Sequence, residues 1–232
     1  MFSFDTAGAT HTGKVRHNNE DSFVICQSNT PLAVVADGIG GHANGEVASL
    51  MCCNGMEENF KSSPPAVNIS SKRAGKLLKK YVCDINSRIF ERNKQEKHPL
   101  PMGSTLCAAM FFQEFIICAN VGDSRLYFLE NGKIRSVTRD HTVVHNGGHY
   151  LSRAMGVIPQ VEPDIFTLVH PAADRYILMS DGVYNSLAEE KISLLLDKAA
   201  TAQEAAESII EQANKNGGVD NLTVIAVIRK NS

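Results

Sequence analysis

The sequence predicts a layered α+β domain, and three observations carry that reading. Helical periodicity is confined to two blocks, residues 45–92 and 187–216. Short apolar runs of strand length fill most of the remainder. The two patterns cluster instead of alternating as β-α-β units would. No period of about 20 to 50 residues recurs, which excludes a solenoid. A chain of 232 residues buries roughly 70–75% of its unfolded surface and needs no covalent staples.

Taken in order, Phe2 to Thr10 and Ser22 to Gln27 read as strands, parted by the polar segment HTGKVRHNNED. Leu32 to Asp37 is a Val- and Ala-rich run of the length expected for a strand buried on both faces. Gly45 to Phe60 reads as a helix with Val47, Met51 and Met56 among its apolar positions. SSPPAVNISS interrupts it with two prolines. Leu77, Tyr81, Ile85 and Ile89 then recur every four residues, so Lys72 to Arg92 is an amphipathic helix. Between Ser104 and Val137 four short apolar runs, the last two joined by Asn131-Gly132, predict a four-strand antiparallel meander. Val161 to Val169 and Arg175 to Ser180 add two strands. Leu187 to Ala199 and Thr201 to Asn216 are helical, and Asn221 to Ile228 is the closing strand.

The organising stretch is Leu32 to His42, LAVVADGIGGH, where an apolar run stops at Asp37-Gly38 and a glycine-dense turn follows. YILMSDG repeats the device, ending in Asp181-Gly182. Asp21 and Asp220 stand at the edges of other apolar runs, so carboxylates converge on one spot. Two carboxylates about 4 Å apart repel by roughly 4 kcal/mol at an effective dielectric near 20. Several together protonate or separate unless a cation lies between them. Oxygen-only ligands select hard ions such as Mg²⁺ or Mn²⁺. Glycine after the aspartate suits close approach to a backbone carbonyl; a plain Asp-Gly turn is the alternative.

Composition removes several classes of function. A net charge of −2 with no sizeable basic cluster argues against nucleic acid or an anionic membrane as partner. The six cysteines form no C-x-x-C pair and sit mostly in apolar neighbourhoods. MFSFDTAG lacks a basic stretch followed by an apolar one, and no run of 18 apolar residues occurs. The expectation is a cytoplasmic, soluble, monomeric protein. Gly38, Gly40 and Ala43 spell G-x-G-x-x-A, but the segment some 20 residues on, MEENFKSSPP, cannot be the second strand of a dinucleotide fold. No nucleophile elbow or H-E-x-x-H is present, and Gly147-Gly148 between His145 and His149 argue against a helical zinc pair.

The motifs Arg16–Ser22 (RHNNEDS), Val34–Ser49, Gly103–Thr105 (GST), Val121–Arg125 (VGDSR), Arg139–His141 (RDH), Ser180–Gly182 (SDG) and Asp220–Val224 (DNLTV) resemble, in order along nearly the whole chain, the protein phosphatase 2C family. The similarity is greatest to its compact bacterial type. The resemblance implies a single catalytic domain over residues 1–232 with a four-layer αββα sandwich, two antiparallel sheets packed face to face and helices on the outer faces. It implies a metal-dependent Ser/Thr phosphatase with two Mn²⁺ or Mg²⁺ ions. Asp37 would bridge them, the Gly38 carbonyl would hold one, and Asp181 and Asp220 the other. Glu20 and Asp21 would act through metal-bound waters, and Asp123 with Asp181 would take a third, weaker ion.

A hydroxide shared by the two ions would attack phosphorus in line. Arg16 would bind two phosphate oxygens with its planar fork. His42 would protonate the departing oxygen; a turn residue bonded to the glycine loop is the alternative. Phosphoserine and phosphothreonine proteins, and a cognate Ser/Thr kinase, are the implied partners. The segment 142–156 after His141 is shorter than the family's usual flap at the cleft, and its glycine pair suggests mobility.

Overall fold

A computed structural model of the chain describes residues 2–39, 44–66, 68–96, 100–145, 147–169 and 173–231. His42 and the rest of the glycine turn, residues 40–43, lie outside them.

One sheet takes the order β1-β13-β12-β7-β8, from β1 (Phe2–His11), β13 (Leu222–Asn231), β12 (Arg175–Met179), β7 (Arg125–Glu130) and β8 (Lys133–Ser136). The other runs β11-β6-β5-β3-β2, from β11 (Asp164–Val169), β6 (Phe115–Val121), β5 (Leu106–Phe111), β3 (Leu32–Ile39) and β2 (Asp21–Cys26), with β4 (Gly103–Ser104) paired to the end of β3. All pairings are antiparallel.

The helices α1 (Gly45–Ser62) and α2 (Ser71–Glu96) cover the second sheet. The first sheet is covered by α3 (Asp181–Ser186), α4 (Glu189–Lys198) and α5 (Ala202–Lys215). A third apolar layer, including Ala33, Val35, Phe111, Tyr176, Leu178 and Ile225, lies between the sheets. The four-layer αββα architecture is therefore the one expected. Among the described residues no helix is long and apolar enough to cross a membrane, and all six cysteines are free thiols.

The structure departs from the sequence reading in four places. The four strands between Ser104 and Val137 are not one meander: β5–β6 belongs to one sheet and β7–β8 to the other. The chain crosses between sheets at Gly122, which has φ +100. Periodicity identifies strands without saying which sheet each joins. Secondly, β3 does not stop at Asp37 but continues to Ile39, because β4 supplies Gly38 and Ile39 with partners. Thirdly, the buried stripe of α1 is Ala48, Cys52, Met56 and Phe60, with Val47 and Met51 only partly buried. Lastly, the segment after His141 forms a separate hairpin, β9 (Thr142–His145) and β10 (Gly148–Leu151), with Gly147 at φ +77.

Candidate metal centre

Alternation along the strands creates the site. Every second residue of β3 faces the layer between the sheets, so Ala33 and Val35 are followed by Asp37. The same step along β2 leads from Ile25 and Phe23 to Asp21, and along β13 from Val227 and Ile225 to Thr223. From Tyr176 and Leu178 on β12 it leads to Ser180, after which Asp181 opens α3. The apolar core thus ends, at one edge, in a band of carboxylates and hydroxyls. Arg16, Glu20, Asp37, Gly38, Asp123, Asp181 and Asp220 line one cleft of about 680 Å³ there.

Asp21 does not line the cleft and lies behind it. It is the cross-strand partner of Asp37, an arrangement of like charges that is unfavourable by itself. Its Oδ2 accepts a hydrogen bond from Ser180 Oγ at 2.7 Å, while Oδ1 is buried with no protein partner among the described residues. Burial pushes the Asp21 carboxyl up to about 7, against the hydrogen bonds from Ser180 and Thr223. Asp37 is driven well above the ordinary carboxylate range by burial first and then by Asp21, Asp181, Asp123 and Asp220.

Burial and Asp220 raise Asp181, opposed by hydrogen bonds from Asp37 and the Gly182 amide. Asp123 is pushed up to about 6 by burial and Asp181. Glu20 is raised by burial and Glu46, with Arg16 opposing. Burial is the largest cause for each of these acids, and their mutual repulsion adds to it, so the cleft is a place where positive charge is favoured.

The two Asp-Gly pairs now have a physical reason, and it is not a turn. Neither Gly38 nor Gly182 adopts positive φ. A Cβ on Gly38 would lie 2.1 Å from the Gly45 carbonyl oxygen, and one on Gly182 would lie 2.0 Å from that of Asn221. Backbone packs against backbone at both points, and only glycine permits it. The Gly38 amide also donates to the Glu20 carbonyl at 3.0 Å, tying β3 to the start of β2.

Several groups fix the acids in place. Thr105 Oγ1 accepts from the Asp37 amide at 2.9 Å and bonds Ser124 Oγ at 2.7 Å. The Thr105 amide donates to the Asp37 carbonyl at 2.8 Å. Asn221 accepts from the Glu20 amide and donates to the carbonyls of Thr12 and Asn18, so it holds the loop that carries Arg16. Arg16 pairs with Asp220 at 2.9 Å and is raised chiefly by that hydrogen bond.

Sequence reasoning quoted Thr105 and Asn221 within motifs but gave them no role, and it gave none to His17, which also lines the cleft. For Thr105 and Asn221 the available signal was a small polar side chain at the edge of an apolar run; His17, in a polar loop, offered none.

Among the described residues no three His, Cys, Asp or Glu side chains close into a set that holds an ion alone. The donors facing the cleft nonetheless fit hard divalent ions: they are carboxylate oxygens, with room for water to complete each shell. The unpartnered Asp21 Oδ1 and the mutual repulsion of the acids agree with that chemistry.

Residues 7–222 match the family model of protein phosphatase 2C. The serine/threonine phosphatase stp of Listeria monocytogenes is 34% identical over 238 aligned positions, covering 95% of this chain and 94% of that protein. The crystal structure of the serine/threonine phosphatase Stp1 from Staphylococcus aureus superposes with a TM-score of 0.89 at 28% identity, over 99% of this chain and 96% of that one. The catalytic domain of the serine/threonine protein phosphatase PstP, solved with two manganese ions, gives 0.84 at 30% identity over the full length of both chains. The chain belongs to the protein phosphatase 2C family. It is a hydrolase of the Ser/Thr phosphatase type.

Proposed function

We propose that the chain, acting as one catalytic domain over residues 1–232, removes phosphate from phosphoserine and phosphothreonine of proteins with two Mn²⁺ or Mg²⁺ ions. The observation that carries this is the single cleft holding Asp37, Asp181, Asp220, Asp123, Glu20 and Arg16. Asp37, the Gly38 carbonyl, Asp181 and Asp220 would hold the two ions. Glu20 from the cleft wall and Asp21 from behind it would act through water, and Asp123 with Asp181 would take a third, weaker ion. The chemistry that divalent ions would supply there is a water whose pKa is lowered toward neutrality, the nucleophile for attack on phosphorus.

The remaining work belongs to the chain's own groups. Arg16 presents its guanidinium at the cleft and grips two phosphate oxygens, a task for which a planar fork is suited. Thr105 and Asn221 keep Asp37 and the Arg16 loop from drifting, since placement errors near 1 Å cost large factors in rate. His42 gives the departing Ser or Thr oxygen its proton. His17, which lines the cleft with Arg16, is the competing donor. Replacing each by Ala and comparing alkyl with aryl phosphates separates them: the true donor's loss slows alkyl esters more, and equal losses for both esters at both positions would assign the proton elsewhere.

The physiological setting that suits this chemistry is a cytoplasmic monomer opposing a Ser/Thr kinase. Turnover of a phosphothreonine peptide by chelator-stripped protein, with and without added Mn²⁺, tests the reading. Metal-dependent release of phosphate is expected. Tight peptide binding without turnover would make the chain a phosphoprotein-binding module instead. Faster turnover of small phosphomonoesters or nucleotides than of phosphoproteins would favour a general two-metal hydrolase.

A further inference from the structure

Asp123 and Asp181 reach the cleft from different elements, the β6–β7 crossover and the first residue of α3. Their carboxylates repel, because each raises the other's neighbourhood potential in a partly desolvated site. Something has to hold the crossover against α3, and one residue does so directly. Tyr184, three positions after Asp181 on the same helix, donates its phenol proton to the Asp123 carbonyl oxygen at 3.0 Å.

The ring of Tyr184 is fixed from its other side. Arg125 lies over it with Cζ 3.7 Å from the ring centroid. Arg125 is itself locked by a two-pronged pair to Asp140, at 2.9 and 2.7 Å, and by Tyr127 Oη at 2.8 Å. One position beyond Tyr184, Asn185 Nδ2 donates to Asp181 Oδ2 at 3.3 Å. One turn of α3 therefore orients the Asp181 carboxylate and fastens the backbone of Asp123. The flanking residues of the crossover have other tethers: the Gly122 amide donates to His141 Nδ1 at 3.1 Å, and Ser124 bonds Thr105. Tyr184 is the contact that joins Asp123 itself to the helix of Asp181.

We infer that Tyr184 is a positioning residue that sets the separation of Asp123 and Asp181 and thereby the affinity for a divalent ion held between them. The inference rests on the reading of those two carboxylates as ligands of the weaker ion. Outer groups that orient ligands typically change metal affinity about 10- to 100-fold when removed.

The test is a titration of the chelator-stripped protein with Mn²⁺, following the free aqua ion by electron paramagnetic resonance. Wild type, Tyr184→Phe, Arg125→Lys and Asp123→Asn are compared. Asp123→Asn is expected to remove the weakest binding class. Tyr184→Phe, which loses only the hydroxyl, is expected to weaken that class about tenfold or more and leave the tighter ions unchanged. Arg125→Lys, which keeps the charge but loses the fork and the stacking plane, should move the same class in the same direction. A Tyr184→Phe isotherm that superposes on wild type, while Asp123→Asn loses the weak class, overturns the role of Tyr184 and leaves the metal reading intact. Equal weakening of every class by Tyr184→Phe also overturns it, as general damage. If Asp123→Asn leaves all classes unchanged, the assignment of Asp123 as a ligand fails, and the inference with it.

Discussion

In the proposed mechanism Arg16 carries the side-chain contact to phosphate. It is 54% exposed and bonds Asp220 at the edge of the cleft, so it can meet an incoming phosphate without being excavated. Hydrogen bonds to charged groups contribute about 1.5–3 kcal/mol each. Arg16→Ala should therefore weaken substrate or product phosphate binding about 10- to 150-fold, seen in KM and in inhibition by inorganic phosphate. A KM within twofold of wild type would remove Arg16 from the phosphate site. Arg16 stands in a polar loop and was pointed to only by the family resemblance, but Asp37, Asp181 and Asp220 were legible in the sequence, because carboxylates at the ends of buried apolar runs are expensive unless used. Thr105, Asn221 and Tyr184 were not. Their roles are hydrogen bonds to the backbone of residues 68, 201 and 61 positions away, and no local pattern announces such partners.

At the scale of elements, the close approach of β3 to the start of α1 decides where the acids sit. The Gly38 Cβ position lies 2.1 Å from the Gly45 carbonyl oxygen, a backbone atom that cannot swing aside. Gly38→Ala should push α1 away from β3 and cost about 1–3 kcal/mol, the usual range for forced overpacking. For a chain of this size that lowers the melting temperature by roughly 2–12 °C. Gly75→Ala is the control, since its nearest foreign atom is the Ile165 side chain at 3.1 Å and a helix interior gains from alanine. Equal melting temperatures for Gly38→Ala and wild type would show that the packing is looser than described.

Long helices and the buried strand runs were readable because their periods persist over many residues. The six-residue α3 was too short to leave a period, and the division of β5–β6 and β7–β8 between sheets depends on one positive-φ glycine, Gly122. The hairpin of β9 and β10 did carry a signal, Asn146-Gly147. It is the same pair as Asn131-Gly132, but the polar, glycine-rich segment around it carries no long apolar run to mark a strand.

For the whole molecule, the central claim is that two sheets present buried carboxylates at one edge of their shared core and that divalent ions satisfy them. The claim fixes the sign of a pH effect. Acids whose folded-state pKa is raised stabilise the fold in their protonated form. That contribution is complete below the unfolded value near 3.9 and is lost as pH rises through about 6 for Asp123 and about 7 for Asp21. Metal-free protein therefore loses this stabilisation between about pH 4 and pH 7.5. Ions bind the ionised acids and restore it, by about 2.7 kcal/mol at a free concentration one hundred times Kd. Asp5 and Asp164, whose pKa values are lowered by Lys230 and Arg153, act in the opposite sense but equally with and without metal.

The most direct test is the melting temperature of chelator-stripped protein across pH 4.5 to 8, measured with and without Mn²⁺. The account predicts a gap that is small at the acid end and widens with pH to roughly 5–10 °C near neutrality. A gap that is absent, or that stays constant across the range, would contradict it.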